Sequence, residues 1–175
     1  NSKVTDILRI IDKIEKIGED EVKSELSLLD IDSDKVSKII DFIRISGDAF
    51  TKIERLKNLG ITDEVFNEGV NELETVINNI KARGLDSNFY DVDLTIARGL
   101  DYYTGTVYET ILKDYPSIGS VCSGGRYENL ATYYTDKKLP GVGISIGLTR
   151  LFYQLKEAGV IKTTDSSVAD ITILP

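Results

Sequence analysis

Histidine and methionine are absent from these 175 residues, and there is one cysteine, Cys122. Without histidine no Ser-His-Asp or Cys-His nucleophilic site can be assembled, nor a histidine-containing zinc site. A single cysteine excludes an intrachain disulfide and a thiolate-cluster metal site, and it fits a reducing cytoplasm. No apolar run is long enough to span a bilayer, and no signal-peptide pattern is present. Positive charge is scarce as well: 29 acidic residues stand against 21 basic ones, a net charge of −8. A domain whose main task is to grip nucleic acid should be basic, because phosphate neutralisation drives that affinity. The acidic excess reads as solubility instead. The start at Asn1-Ser2 and the alternating apolar run Ile171-Thr172-Ile173-Leu174, cut off at Pro175, read as boundaries inside a longer protein.

What is present divides near Gly84. All nine tyrosines and ten of the fourteen glycines lie at or beyond it. Before it, apolar residues recur at helical spacing in five stripes. Val4, Ile7, Leu8, Ile11 and Ile14 stop near Gly18; Val22, Leu26 and Leu29 follow. Val36, Ile39, Ile40 and Ile43 stop near Gly47, and Phe50, Ile53 and Leu56 end at Gly60. The clearest stripe, Phe66, Val70, Leu73, Ile77 and Ile80, opens with the cap Thr62-Asp63-Glu64 and ends at Gly84. Such stripes form the core of a small helical bundle.

After Gly84 the period shortens. Tyr90, Val92, Leu94 and Ile96 alternate with polar residues, which predicts a strand with one buried face. Strands are also expected over 103–112, over 118–122 as its hairpin partner, and over 140–146. The spacing predicts a turn over 123–127, helices near 128–134 and 148–158, and a linker over 163–169. There is no internal repeat and no low-complexity tract.

Three segments can carry chemistry. Arg98-Gly99-Leu100-Asp101-Tyr102-Tyr103-Thr104-Gly105-Thr106-Val107-Tyr108-Glu109 puts a permanent cation, phenols and glycines on one strand-like stretch. Arginine offers a rigid fork of five donors to a carboxylate or phosphate. Tyrosine offers an aromatic wall and a hydroxyl that donates or accepts. The second segment is Ser123-Gly124-Gly125-Arg126-Tyr127, where paired glycines either make a plain turn or bring backbone close to a ligand. Arg126 reads as a salt-bridge residue or a ligand group, and Cys122 as a small residue lining a sheet.

The third segment is Gly141 to Arg150. It contains Gly143-Ile144-Ser145-Ile146-Gly147, which matches the G-x-S-x-G nucleophile elbow, but the elbow needs a histidine base. Gly141, Gly143, Ser145 and Gly147 share a nearly bare strand face that a flat ring could approach. Val142, Ile144 and Ile146 are expected to be apolar core on the other face. Arg150, in the first turn of the next helix, would reach over the bare face, giving a slot for a purine base or a close-packed strand under a helix.

In this order the three segments resemble the two histidine-recognition signatures and motif 3 of the histidyl-tRNA synthetase family, which belongs to the class II aminoacyl-tRNA synthetases. The helical first half, including Ile10-Ile11-Asp12-Lys13-Ile14, resembles that family's insertion domain. The implied fold class is α+β: a helical insertion domain over 1–85, the C-terminal half of the class II catalytic core over 86–162, and over 163–175 a linker and the start of an anticodon-binding domain. The implied activity is two-step joining of histidine to tRNA(His), through histidyl-adenylate, with ATP as substrate and Mg²⁺ arriving with it rather than held in a protein cage. A homodimer, a cytoplasmic location and no membrane partner go with it.

By the same resemblance Arg98 contacts the histidine carboxylate and the α-phosphate and is the catalytic residue. Tyr102, Tyr103, Gly124, Gly125 and Tyr127 form the histidine pocket, and Gly147 and Arg150 join Arg98 at ATP. Thr149 stands where motif 3 usually has glutamate before its arginine. Motifs 1 and 2 are not in the sequence, so this stretch alone is expected to make no adenylate. Two alternatives stay open: a synthetase-like regulatory subunit of ATP phosphoribosyltransferase, and a pseudo-synthetase domain of a tRNA-sensing regulator.

Overall fold

The computed structural model describes residues 2–97, 103–128, 132 and 134–162. The helical stripes become six helices: α1 (Ser2–Ile11), α2 (Ile14–Ile17), α3 (Glu19–Ser27), α4 (Ser33–Ile43), α5 (Ala49–Lys57) and α6 (Glu64–Ala82). The first stripe was expected to run unbroken to Gly18. The chain turns instead at Asp12-Lys13, where the Lys13 N–H bonds the Ile10 carbonyl three residues back, and α2 starts afresh.

Aspartates start the later helices. The Asp32, Asp48 and Asp63 carboxylates accept from the N–H groups of Asp34, Thr51 and Phe66 at 2.9, 2.7 and 2.9 Å. Each satisfies a backbone donor that the first helical turn leaves unpaired, a contribution of about 1 kcal/mol. Gly60 and Gly84 take φ of +67° and +78° just past α5 and α6, a backbone conformation in which any other residue is strained.

The helices bury two separate apolar clusters. Ile10, Val22, Leu26, Val36 and Ile40 form one across α1, α3 and α4. Glu19, at the start of α3, braces it from outside by taking both an Arg44 fork and Lys23, all at 2.6 Å. Ala49, Ile53 and Leu56 of α5 form the other with Val70 and Ile77 of α6 and with Val92.

Val92 corrects an expectation. Tyr90, Val92 and Leu94 do turn toward the α5–α6 cluster, but residues 90–97 form no strand. The Asp91 carboxylate accepts from Val92 N–H at 2.8 Å, and Asp93 accepts from Thr95 N–H at 2.8 Å and Thr95 Oγ1 at 2.6 Å. These local bonds occupy groups that a sheet ladder would need. Lys52 of α5 donates to Asp91 at 2.6 Å and to the Val92 carbonyl at 2.7 Å, which ties the segment to the helix.

The sheet has three strands in the order β1 (Val107–Ile111), β2 (Ser120–Tyr127) and β3 (Gly141–Ile146), followed by α7 (Leu148–Glu157). The helices and sheet together make the fold α+β. Near the end of β2, Arg126 pairs with Thr104 and Thr106, just before β1. At the start of β2, the Val121 carbonyl accepts from Gly147 N–H, just after β3, so the strands run antiparallel. Residues 123–127, expected as a turn, lie inside β2. The hairpin partner therefore starts later than expected, at Ser120, and runs to Tyr127. The Val142–Ile144–Ile146 face of β3 is not core: these side chains are 69%, 67% and 60% exposed. The helix expected near 128–134 falls largely outside the described residues, as do 163–169 and Ile171 to Leu174.

The chain divides into two compact units, one of Asn1–Tyr108 with Gly125–Gly143, the other of Glu109–Gly124 with the chain from Ile144 onward. Among the described residues no helix is long and apolar enough to cross a membrane.

Candidate functional site

The first unit brings two of the singled-out tyrosines to one face of the sheet. Side chains alternate between faces along a strand, so Gly125 and Tyr127 share one face of β2 while Arg126 takes the other. The Tyr103 ring lies directly on Gly125. A Cβ placed there would come within 2.7 Å of Cδ1 and 2.8 Å of Cγ of that ring, and within 3.1 Å of Val107 Cγ1. Any side chain at 125 would displace the phenol, so the glycine is there for close approach rather than for a turn.

One step along β2 the arrangement repeats. The Tyr127 ring covers Gly141 of β3, where a Cβ would meet Cε2, Cζ and the hydroxyl oxygen at 2.6, 2.7 and 2.7 Å. Its Cε1 is 3.4 Å from a Cβ placed on Gly143. The bare face of β3, expected as a slot for a purine base, is thus occupied at Gly141 and Gly143 by the chain's own phenol. Tyr108 adds a hydroxyl that donates to the Gly143 carbonyl at 2.5 Å, fixing β1 to β3 by a side chain. The outcome is a wall of two phenols seated on glycines, a surface able to stack on a flat polar ring and hydrogen-bond its edge.

The opposite face is charged. Arg126 Nη2 donates to Glu128 Oε1 at 2.9 Å, and Arg126 Nε stands 3.8 Å from Glu72 Oε1 on α6. Lys138 Nζ holds the other Glu128 oxygen at 2.9 Å. The hydrogen bond Arg126 donates to Glu128 and the charges of Glu72, Glu128 and Glu68 raise the Arg126 guanidinium above its ordinary value. Lys138 first, and Arg126 next, hold the Glu128 carboxyl below its own. Of its two readings, Arg126 is therefore the salt-bridge residue.

Of the residues singled out in the sequence, Tyr103, Gly125 and Tyr127 come together here, and Gly124 is buried beside Gly125 in β2. Arg98 and Tyr102 lie outside the described residues. Gly147 and Arg150 belong to the second unit. Gly147 caps α7 and donates its N–H to the Val121 carbonyl at 3.0 Å; Arg150 is exposed in the first turn of that helix. Cys122 is a half-buried free thiol in β2.

Two residues at the site were not singled out. Tyr108 lay within a quoted motif, and its place in the strand alternation could have drawn attention to it. Glu72 is one glutamate among several on the polar side of α6, with no local signal to distinguish it. Among the described residues no three His, Cys, Asp or Glu side chains are grouped to hold a metal ion.

Comparison with known proteins gives this geometry a context. Residues 10–151 match the family model described as histidyl-tRNA synthetase. The chain is 59% identical over 170 residues to histidine–tRNA ligase of Clostridium tetani, a match that covers 97% of this chain and 39% of that protein. It is 50% identical over 168 residues to the enzyme of the same name from Finegoldia magna, covering 96% and 39%. The crystal structure of histidyl-tRNA synthetase from Nostoc sp. PCC 7120 superposes with a TM-score of 0.89 at 47% identity, over 93% of this chain and 38% of that one. The chain thus spans 39% of the length of these two curated relatives.

Proposed function

Because this chain belongs to the histidyl-tRNA synthetase family, we propose that it supplies the amino-acid recognition wall of a histidine–tRNA ligase. That enzyme activates histidine with ATP and passes it to tRNA(His). The observation that carries the reading is the pair of phenols, Tyr103 and Tyr127, seated on Gly125 and Gly141 on one sheet face. An imidazole is flat, polar and bears a nitrogen at each side. A phenol wall can stack on the ring while its hydroxyls read the nitrogens. A site built to hydrogen-bond a substrate group rejects analogues lacking it by roughly 10⁴-fold or more, which apolar walls cannot do.

Tyr102, Gly124 and the Gly125 backbone complete the pocket in this reading. Arg98 stands at the reacting atoms. There a histidine carboxylate oxygen bonds to the α-phosphorus of ATP, the bond from that phosphorus to the bridging oxygen breaks, and pyrophosphate leaves with the electron pair. Negative groups must be brought together, so a fixed guanidinium lowers the barrier by charge and by position. Gly147 and Arg150 contribute to ATP binding. Mg²⁺ would come bound to the nucleotide phosphates, and no step here is routed through it. The helical part to residue 85 is the insertion domain, 86–162 the second half of the catalytic core, and 163–175 the lead into an anticodon-binding domain. The full-length enzyme is a cytoplasmic homodimer.

Histidine-dependent pyrophosphate exchange by the full-length protein tests this. Arg98→Ala should lower turnover by about 100-fold or more with unfolding unchanged; turnover within a few-fold of wild type refutes its role. Tyr103→Phe should raise the KM for histidine by roughly three- to tenfold, and an effect confined to ATP contradicts the pocket. The 175-residue chain by itself should give no exchange. Histidine binding by the full-length protein without any exchange would favour a regulatory subunit instead.

A further inference from the structure

Glu72 approaches β2 and the segment that leads into β1 from the face opposite the phenols. Its Oε2 is 3.5 Å from Thr106 Oγ1 and would lie 2.8 Å from a Cβ on Gly105; its Oε1 is 3.8 Å from Arg126 Nε. Gly105 is in turn closed in by Arg126, whose Cδ would be 3.0 Å from that Cβ. The Arg126 backbone brackets the same glycine. Its carbonyl accepts from Thr104 N–H and its N–H donates to the Thr106 carbonyl, both at 2.9 Å. Tyr103 adjoins Thr104 in the chain and Gly125 adjoins Arg126, and the Tyr103 ring lies on the Gly125 backbone.

We infer that Glu72 of α6 is a positioning residue for the proposed histidine pocket, acting through Arg126 and Gly105. This rests on the functional reading above. Val70 and Ile77 fix α6 in its apolar cluster, so Glu72 approaches the sheet from a rigid element. Its contact with Arg126 extends into a row of alternating charge, Glu72, Arg126, Glu128 and Lys138, from α6 through β2 into the chain that follows it, within one compact unit. A partly exposed ion pair of this kind adds little to stability. A small displacement of groups that hold a substrate has a much larger effect on its binding. Glu72 is therefore expected to influence histidine recognition more than folding.

The experiment uses the full-length protein with Glu72→Gln, Glu72→Asp, Arg126→Gln and the Glu72→Gln/Arg126→Gln pair. Two quantities are read: amide hydrogen exchange at Thr104 and Arg126, and the separate KM values for histidine and ATP in pyrophosphate exchange. Glu72→Gln should speed exchange at both amides and raise the histidine KM about five- to tenfold, leaving kcat and the ATP KM within twofold. Glu72→Asp should fall between it and wild type, and the double variant should be no worse than the poorer single one. Unchanged amides overturn the inference. So does an unchanged histidine KM in an active enzyme, an equal rise in both KM values, or additive single effects. A wild-type protein with no histidine-dependent exchange overturns the functional reading, and the pocket role of Glu72 with it, whatever the amides do.

Discussion

Helix α4 and strand β3 carry the same kind of apolar residues and treat them in opposite ways. Val36 and Ile40 of α4 are buried, Ile40 to 1% exposure, while Val142, Ile144 and Ile146 of β3 face solvent. The difference is the presence of a complementary surface. The stripe of α4 meets that of α3, a few residues away in sequence, and Val22 and Leu26 close the cluster with no exposed surface at all. The face of β3 has no such cover among the described residues. Periodicity fixes which side chains share a face; burial needs a second face to meet it.

The largest effects should separate these regions. Leu26→Ala removes a fully buried side chain and should cost about 2–5 kcal/mol, read from the urea midpoint. Ile144→Ala in the same chain should cost under about 0.5 kcal/mol. Equal costs would break the comparison. The same pair in the full-length protein sharpens it, because an Ile144 cost rising to the Leu26 range would mean that other chain covers the strand.

Glycines divide the regions by sign as well as size. Gly125→Ala drives a Cβ into the Tyr103 ring and should destabilise by about 1–3 kcal/mol. Gly69 lies inside α6, where a Cβ would meet nothing within 4 Å. There alanine removes backbone freedom from the unfolded chain at no steric cost and should stabilise by roughly 0.4–1 kcal/mol. Thermal unfolding of the two variants should move in opposite directions. A shared direction would mean that Tyr103 is free to leave Gly125.

The helices were legible because their signals are local. Phe66, Val70, Leu73, Ile77 and Ile80 read as one face within α6, and Asp63, the residue just before it, read as part of its cap. The segment from Tyr90 to Ile96 was half legible. Its alternation correctly marked Val92 for burial, but the competing bonds of Asp91 and Asp93 to nearby backbone left no strand. Residues 123–127 read as a turn, with Gly124-Gly125 serving either that turn or a close approach to a ligand. Here Gly125 serves contact, and the ring that needs its bare backbone belongs to Tyr103, 22 positions earlier. The phenol pair was legible as residue types and not as a wall, because its shape depends on which strands lie side by side. Glu72 was invisible, since its partner Arg126 is distant in sequence and helices carry many glutamates.

The smallest effects concern three carboxylates, Asp48 exposed and Glu19 and Glu128 half-buried, whose folded pKa values are lowered for two different reasons. Asp48 is lowered chiefly by the hydrogen bond from Thr51 backbone N–H at the start of α5. Glu19 in the helical part is lowered first by Lys23 and also by Arg44, and Glu128 in the sheet part first by Lys138 and then by Arg126. A depressed folded pKa contributes stability above the unfolded value and loses it as pH falls through the folded one. For Asp48 the unfolded value is near the ordinary 3.8. The advantage of wild type over Asp48→Asn should therefore be complete at pH 5 to 7 and shrink below about pH 4. Salt separates the mechanisms, because at 1 M the screening length is about 3 Å. The Glu19→Gln and Glu128→Gln differences should weaken in high salt, since their partners are charged side chains. The Asp48→Asn difference should persist, since its partner is a backbone amide held by the helix. Unfolding midpoints of the three variants against pH, at low and high salt, decide this. If the Asp48 difference disappears with salt as the other two do, the cap acts through charge at a distance and not through its hydrogen bond.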